Sequence, residues 1–233
     1  MTSIHFVGGE KGGEGRSFVC RALIDYHRDR KIPFSGFDTC RSYSDVSRFY
    51  TNIEGCEVKG FSYEDSLPDI ATTVLKKEIE GNVIVNLQTH GMALMMRPWI
   101  DVDKDARLSE LQSKNAVIWF VSIGSCDSHR LLEESLRYFQ GSVPHILVKN
   151  LSGRSYWNID SVNERFEQIS TKYNLPVITF PNFPESKALR AILNEDIPYL
   201  EAQYHPDLSI VCKRRSSVFL NRAFAALELA EAI

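Results

Sequence analysis

The residues best suited to chemistry form a glycine-rich loop near the start of the chain. Five of the 13 glycines fall between Gly8 and Gly15, after the apolar segment 4–7 and before a helical pattern. Glycines let the backbone curl so that its N–H groups point at phosphate oxygens, and the following helix start adds partial positive charge. Arg16 would add a cation, and Ser17 would offer a hydroxyl to Mg²⁺. The pattern therefore favours a phosphate-binding loop over a plain turn between a strand and a helix.

The loop resembles the P-loop, G-x-x-x-x-G-K-[ST], with Gly9 and Gly15 at the fixed glycines and Arg16 in place of the lysine. Residues 11–17, K-G-G-E-G-R-S, resemble more specifically the deviant Walker A motif of the ParA/MinD family of dimeric ATPases. This resemblance implies that Lys11 is the signature lysine, which reaches across a dimer interface to the partner's nucleotide. It also implies ATP and Mg²⁺ as cofactors and a homodimer that forms on ATP binding. The alternative is that Lys11 is a solvated loop lysine.

Other segments extend the resemblance over nearly the whole chain. Residues 38–46 follow the second strand, where the family has its switch I, and look most like the StbB/TraL-like group from plasmid stability and mobilisation loci. Residues 83–88 sit at the Walker B position. Asn150 ends a later strand, where relatives often place an adenine-recognising asparagine, and Pro181 begins a segment near the family's adenine-contacting loop. The last helix, around residues 214–224, is also similar to that group's.

The resemblance implies a complete site. Lys11 and Asp38 are its catalytic residues, and Ser17 and Asp38 hold the metal ion. The residues implied to bind the nucleotide are Gly9, Glu10, Lys11, Gly12, Gly13, Glu14, Gly15, Arg16, Ser17, Phe18, Asn150 and Pro181. The implied function is a nucleotide-dependent dimerisation switch in plasmid stability, mobilisation, partition or positioning. The implied partners are a second copy of the chain, a small protein encoded nearby and, non-specifically, DNA.

Three departures from the family pattern touch catalysis. Arg16 replaces the P-loop lysine and keeps its charge, but with a larger and differently shaped group. Cys40 replaces the second acidic residue of switch I, and Asn86 replaces the Walker B acid, so neither position brings a negative charge to the metal. Positioning and electrostatics supply nearly all of the catalysis of phosphoryl transfer. The sequence therefore predicts nucleotide binding with slow hydrolysis.

Two alternative functions stay open. Arg16, Cys40 and Asn86 favour a nucleotide-binding regulatory or scaffold protein without an ATPase cycle, whereas Lys11 favours the switch. A small-molecule ATP-dependent ligase or a nucleotide kinase on the same fold has less support, because no substrate loop or arginine-rich lid is recognisable. His90 could sense the γ-phosphate, although a solvated loop histidine is the favoured interpretation.

The elements that must position these residues alternate along the chain. Short apolar runs and helical patterns follow each other, which predicts parallel strands joined by right-handed helical crossovers. We expect a single P-loop NTPase domain over residues 1–233, with a three-layer α/β fold and a mainly parallel sheet. The expected strands are 4–7, 33–37, 83–87, 116–122, 145–149 and 177–180. The expected helices are 16–30, 67–80, 92–100, 104–113, 127–140, 160–173, 185–194 and 213–233, with N-caps at Asp127 and Asp160; residues 42–60 fit a helix plus an irregular strand.

The composition excludes several classes of protein. The chain has 233 residues, 43% of them apolar, which argues against disorder, and its net charge of −3 argues against a protein that coats nucleic acid by charge alone. The basic cluster 213–215 is a possible DNA contact, but a solvated helix start is the favoured interpretation. The longest apolar run, 116–121, is far shorter than a membrane span. Five scattered cysteines without a C-x-x-C pair predict reduced thiols and a cytoplasmic location.

Overall fold

A computed structural model describes residues 3–76, 81–151, 155–183 and 186–232. Its strands are β1 (Ile4–Gly8), β2 (Phe34–Asp38), β3 (Val58–Gly60), β4 (Asn82–Asn86), β5 (Ala116–Ser122), β6 (His145–Asn150) and β7 (Val177–Phe180). Its helices are α1 (Arg16–Asp29), α2 (Leu67–Lys76), α3 (Arg97–Ile100), α4 (Lys104–Ser113), α5 (Ser128–Phe139), α6 (Asp160–Tyr173), α7 (Ser186–Asn194), α8 (Tyr199–Ala202) and α9 (Ile210–Glu228). A 3₁₀ turn covers Ser47–Phe49, and a π-helical turn covers Met92–Met96.

The strands form one seven-stranded sheet in the order β3-β2-β4-β1-β5-β6-β7, and every neighbouring pair is parallel. Helices cover both faces, as the side chains of β5 show. Trp119 packs in the apolar cluster that contains residues of α1 and α9, whereas Ile118 faces the cluster that contains residues of α2. A strand whose successive side chains enter opposite apolar layers is buried on both faces. The predicted three-layer α/β fold is therefore confirmed.

Several predicted boundaries need correction. β2 and β4 lie one residue away from the predicted ranges, because their pairing starts at Phe34 and Asn82 and continues through the polar residues Asp38 and Asn86. α9 begins at Ile210 rather than at residue 213. The reason is a capping hydrogen bond, in which Ser209 Oγ accepts from the backbone N–H of Cys212 at 3.2 Å.

Two predicted helix caps also differ. Asp160 is the first residue of α6 and not its N-cap, which is Ile159. Asp127 does occupy the N-cap of α5, but its side chain makes no capping hydrogen bond. The sequence pattern also missed the short helix α8. The predicted helical residues 77–80, 185 and 233 lie outside the described residues.

The parallel arrangement brings the polar strand ends to one edge of the sheet. β1 lies between β4 and β5, and its carboxyl end leads through residues 9–15 into α1. Asp38, Asn86 and Asn150 end β2, β4 and β6 at the same edge. Open parallel sheets bind ligands at the carboxyl ends of their strands, so this edge is where a site is expected. Within the described ranges, no helix has the length and apolar character needed to cross a membrane.

Candidate nucleotide-binding site

The loop after β1 has the backbone shape that only glycine adopts easily. Gly9 has a φ of +146°, and a Cβ placed there would lie 2.7 Å from the carbonyl oxygen of Val121. Gly15 has a φ of +90°, and its Cβ would overlap the side chain of Asn150. α1 starts directly after Gly15, and its first turn holds neither a capping side chain nor an acidic residue. The positive end of the helix thus faces the loop, and no acidic residue in its own first turn offsets it.

Glu14 anchors this loop to the neighbouring strand ends. Its carboxylate is buried and accepts hydrogen bonds from the N–H of Ile123 at 2.7 Å, from Ser128 Oγ at 3.0 Å and from Ser125 Oγ. The Glu14 carbonyl oxygen accepts from Asn150 Nδ2 at 2.9 Å. The side chains of Glu14 and Asn150, both implied by the resemblance to bind the nucleotide, are therefore engaged with the protein and hold the loop in shape.

Arg16 spans the mouth of the loop. Its Nη1 donates to the carbonyl oxygen of Gly9 at 2.6 Å, and its Nη2 donates to Thr89 Oγ1 at 2.6 Å, in the segment after β4. Burial lowers the pKa of Arg16, yet a guanidinium stays charged at neutral pH. Both partners are uncharged, and a hydrogen bond to an anion is about twice as strong as one to a neutral acceptor. Arg16 is thus placed to exchange these partners for a phosphate.

Asp38 has a different environment, because the protein satisfies its carboxylate completely. The side chain is fully buried, and Oδ2 accepts from the backbone N–H groups of Val46 at 2.7 Å and Ser47 at 3.0 Å. Oδ1 accepts from Asn86 Nδ2 at 2.9 Å and from the N–H of Cys40 at 3.3 Å. Asp38 therefore shapes the segment 38–49, which contains the predicted switch I (residues 38–46) and the 3₁₀ turn after it.

Asn86 links Asp38 to the start of α1. Its Nδ2 also lies 3.4 Å from Ser17 Oγ, while its Oδ1 is buried and has no hydrogen-bond partner in the described part of the chain. Hydroxyl, carboxylate and amide oxygens are the ligands that Mg²⁺ prefers. Ser17 Oγ and the unpartnered Oδ1 of Asn86 supply oxygens of this kind, and Asp38 would exchange one of its four hydrogen bonds to join them around a hard cation. Among the described residues, no cluster of three or more His, Cys, Asp or Glu forms another metal site.

Thr39 joins the two segments that follow β2 and β4. Its hydroxyl donates to the carbonyl oxygen of Asn86 at 2.9 Å and accepts from the N–H of Gln88 at 3.0 Å. The segment after β4 also carries Thr89, the partner of Arg16. A movement of the Arg16 side chain can therefore alter the positions of both segments.

Cys40 is paired with a carboxylate that the sequence analysis missed. Its Sγ lies 3.6 Å from Asp45 Oδ2, and burial together with Asp45 raises the pKa of the thiol, which stays protonated at neutral pH. Burial and then Asp38 raise the pKa of Asp45 itself. Asp45 lines a cleft of 380 Å³ next to the loop, and its spacing from Asp38 gave no signal in the sequence.

Lys11 and Glu10 occupy opposite sides of the loop. The side chain of Lys11 is 39% exposed, and its nearest acidic group is Asp127 Oδ2 at 3.9 Å. Glu10 is buried, burial raises its pKa, and its Oε2 lies 3.8 Å from Nδ1 of His90. The side chain of His90 is 60% exposed, and the residue has a left-handed φ of +56°. Lys11 is therefore accessible at the rim, whereas Glu10 lies next to His90, in the segment after β4.

The remaining residues predicted to bind the nucleotide are Gly12, Gly13, Phe18 and Pro181, and of these Gly13 and Phe18 line the cleft. Gly12 and Gly13 are exposed at the loop tip. Phe18 lines the cleft and packs edge-on against Phe180, with ring centroids 5.8 Å apart. Pro181 follows β7 directly and is half-buried.

No family model and no curated protein sequence matches the chain. Its fold is similar to that of MinD, a cell division ATPase of Pyrococcus furiosus, with 17% identity, a TM-score of 0.56 and coverage of 98% of this chain and 99% of that one. The septum site-determining protein MinD of Pyrococcus horikoshii, complexed with Mg-ADP, is also similar, with 15% identity, a TM-score of 0.56 and coverage of 96% of this chain and 95% of that one. A Borrelia burgdorferi protein described as a plasmid partition protein, bound to AMPPNP, has 14% identity, a TM-score of 0.52 and coverage of 97% of this chain and 99% of that one. The chain thus has the fold of the ParA/MinD-type P-loop ATPases.

Proposed function

We propose that the chain binds ATP and Mg²⁺ and acts as a nucleotide-dependent dimerisation switch of the ParA/MinD type, with weak hydrolysis. The observation that carries this proposal is the glycine loop between β1 and α1. Glu14 fixes the shape of this loop, and both the uncapped start of α1 and the side chain of Arg16 face the same cleft. The structural neighbours include proteins with bound Mg-ADP and AMPPNP, which supports the same ligand class for this chain.

The geometry gives each residue a role when nucleotide binds. Backbone N–H groups of the loop and the start of α1 would donate to the phosphates. Arg16 would exchange its hydrogen bonds with Gly9 and Thr89 for one with a phosphate oxygen. The segment after β4 would then be released from Arg16 whenever nucleotide is bound. Ser17, Asp38 and Asn86 would hold Mg²⁺, which neutralises charge on the β- and γ-phosphates when bound. The switch is then the exchange of internal partners for phosphate.

Weak hydrolysis follows from the state of the acidic groups. Asp38 already accepts four hydrogen bonds, Cys40 carries a proton, and Asn86 is neutral. None of these groups presents an exposed carboxylate to an attacking water. The same observation favours a second candidate, a nucleotide-binding regulatory or scaffold protein without turnover.

The biological setting we propose is plasmid stability, mobilisation, partition or positioning, in the StbB/TraL-like group, with a small partner protein encoded nearby. The support is the resemblance of residues 38–46 and of the last helix, together with the plasmid partition protein among the structural neighbours. A MinC:MinD complex among the neighbours supports a protein partner, although its identity with this chain is only 11%. Non-specific DNA contact would use the basic cluster 213–215.

The test of the switch is Lys11→Ala. Lys11 can leave its ion pair with Asp127, at 3.9 Å, for a nucleotide held by a second copy of the chain. A two-fold dimer would contain two such contacts, each contributing about 1.5–3 kcal/mol. We expect the wild type with Mg²⁺ and a slowly hydrolysed ATP analogue to sediment as a dimer. Lys11→Ala should weaken that dimer at least 100-fold and keep ATP affinity within about threefold by calorimetry.

Lys172→Ala is the matched control, because Lys172 on α6 also holds a surface ion pair, with Glu133 of α5 at 2.7 Å. It should dimerise like the wild type. A wild type that stays monomeric with the analogue, or a Lys11→Ala variant that dimerises equally well, would contradict the switch. The absence of any ATP binding to the wild type at millimolar concentration would contradict nucleotide binding itself.

A further inference from the structure

Arg21 is a buried cation whose hydrogen-bonding capacity is largely unused. It lies on α1, one turn after Ser17, and only 4% of its surface is exposed. Its guanidinium is sandwiched between the rings of Phe49, at 4.0 Å, and Tyr199, at 4.4 Å, and its Nη2 donates to the Tyr199 hydroxyl. Nε and Nη1 are buried and have no hydrogen-bond partner among the described residues, none of which forms an ion pair with Arg21.

Such an arrangement is costly in a folded protein. Buried polar groups are almost always hydrogen-bonded, and buried charges are almost always paired. The aromatic rings give Arg21 favourable cation–π contacts, but they do not satisfy its N–H donors. A buried guanidinium with two unpartnered nitrogens therefore points to a ligand that supplies acceptors.

The position of Arg21 indicates the class of that ligand. Arg21 lines the same 380 Å³ cleft as Arg16, Arg48 and the loop residue Gly15. Asp45 is the one acidic residue among the described residues that line this cleft, and Arg48 is already paired with Asp196, so Arg16 and Arg21 remain to face one carboxylate. Arginine-rich clefts next to a phosphate loop select phosphate groups over neutral ligands.

We propose that Arg21 binds a phosphate group in this cleft, beyond the part that the glycine loop holds. This inference rests on the proposed nucleotide-binding function and adds a contact that the P-loop motif does not specify. The phosphate is either one of the nucleotide's own or a separate phosphate ion, since both present the same acceptor oxygens.

Binding at Arg21 would also affect the turn that directly follows the predicted switch I. The Phe49 ring that covers Arg21 belongs to the 3₁₀ turn Ser47–Phe49. The backbone N–H of Ser47 in that turn donates to Asp38 at 3.0 Å. A phosphate bound to the Arg21 nitrogens would lie next to this turn, which connects ligand contact to the hydrogen bonds of Asp38.

The test compares Arg21→Met with Arg48→Met, a matched control in the same cleft. Arg48 already has a charge partner, because its Nε lies 3.2 Å from Asp196 Oδ1. We expect Arg21→Met to weaken ADP binding at least tenfold by calorimetry if the nucleotide supplies the phosphate. If a separate ion supplies it, ADP affinity is unchanged and the variant loses binding of inorganic phosphate to the ADP-saturated protein. Arg48→Met should change either affinity less than threefold.

Thermal unfolding without ligand separates this role from a structural one. Removing an unpartnered buried charge while keeping an apolar side chain should leave the unfolding temperature unchanged or raise it. Arg21→Lys serves as a second variant that retains the charge and should keep part of the affinity. Unchanged affinity for ADP and for phosphate in Arg21→Met, with a lower unfolding temperature, would show that Arg21 only packs between the rings. A wild type that binds neither ADP nor ATP would overturn the proposed function as well, so the two failures are distinguishable.

Discussion

The two halves of the cleft satisfy their charged groups in opposite ways. In the phosphate half, residues 9–17, Glu14 turns its carboxylate into the protein, and the cation of Arg16 remains at the cleft. In the acidic half, formed by residues 38–49 and Asn86, the carboxylate of Asp38 is covered by four hydrogen bonds. Backbone conformation creates the first half, whereas side-chain charge must create the second. Phosphate binding can therefore persist where the groups for hydrolysis are absent.

Gly15→Ala should break the phosphate half most severely. The backbone at Gly15 is left-handed, which costs an alanine about 1–2 kcal/mol, and the new Cβ would overlap Asn150 in a fully packed site. We expect a loss of about 2–5 kcal/mol in the free energy of unfolding and no measurable ATP binding. Chemical denaturation and calorimetry measure the two effects.

Gly55→Ala is the matched control, because Gly55 also has a left-handed φ, of +71°, but no atom of the described residues lies within 4 Å of its Cβ position. It should lose about 1–2 kcal/mol and bind ATP normally. Equal losses in the two variants would show that the contact with Asn150 does not fix the loop.

Asn86→Asp tests the acidic half of the cleft. It replaces a donor to Asp38 with a second buried carboxylate, and like charges in one site repel. We expect about 2–3 kcal/mol of destabilisation at pH 7 without ligand. Mg²⁺ with ATP should recover most of it, because the cation neutralises the pair. The unfolding temperature with and without Mg-ATP is the measurement.

Asn86→Ala is the control for Asn86→Asp, since it removes the hydrogen bond without adding a charge and should show no recovery by Mg²⁺. If Mg-ATP leaves the destabilisation of Asn86→Asp unchanged, that result would contradict the metal position assigned to Ser17, Asp38 and Asn86.

The double variant Cys40→Asp with Asn86→Asp should raise ATP turnover above the wild type, because it returns both carboxylates to the cleft.

The sequence predicted the fold well and the use of its polar residues less well. Alternating apolar runs and helical patterns were sufficient for the parallel sheet, because burial on both faces imposes continuous apolar strands. The glycine spacing placed the loop correctly, since a left-handed backbone depends on local residue types. The partners of Glu14, which lie more than 100 positions away at 123–128, have no local signature. The unpartnered state of Arg21 likewise depends on Phe49 and Tyr199, which only the tertiary fold brings together.

Glu14→Gln distinguishes an anchoring residue from a nucleotide contact and has the smallest expected effect. Glutamine offers one acceptor oxygen in place of a carboxylate that now accepts from Ile123, Ser125 and Ser128. At least one donor loses its partner, so we expect a loss of about 1–2 kcal/mol in the free energy of unfolding without ligand. Glu164→Gln, on the exposed side of α6, should cost less than 0.5 kcal/mol, roughly the range of surface substitutions.

ATP affinity decides the role of Glu14. As an anchor, Glu14→Gln weakens ATP binding only as far as the loop becomes mobile, and the stability loss appears without nucleotide. As a direct contact, it would lower ATP affinity while leaving the stability of the ligand-free protein unchanged. The carboxylate accepts its hydrogen bonds away from the cleft, from the segment between β5 and α5, so the first result is the expected one. It would show that the phosphate half owes its shape to a carboxylate that never contacts phosphate.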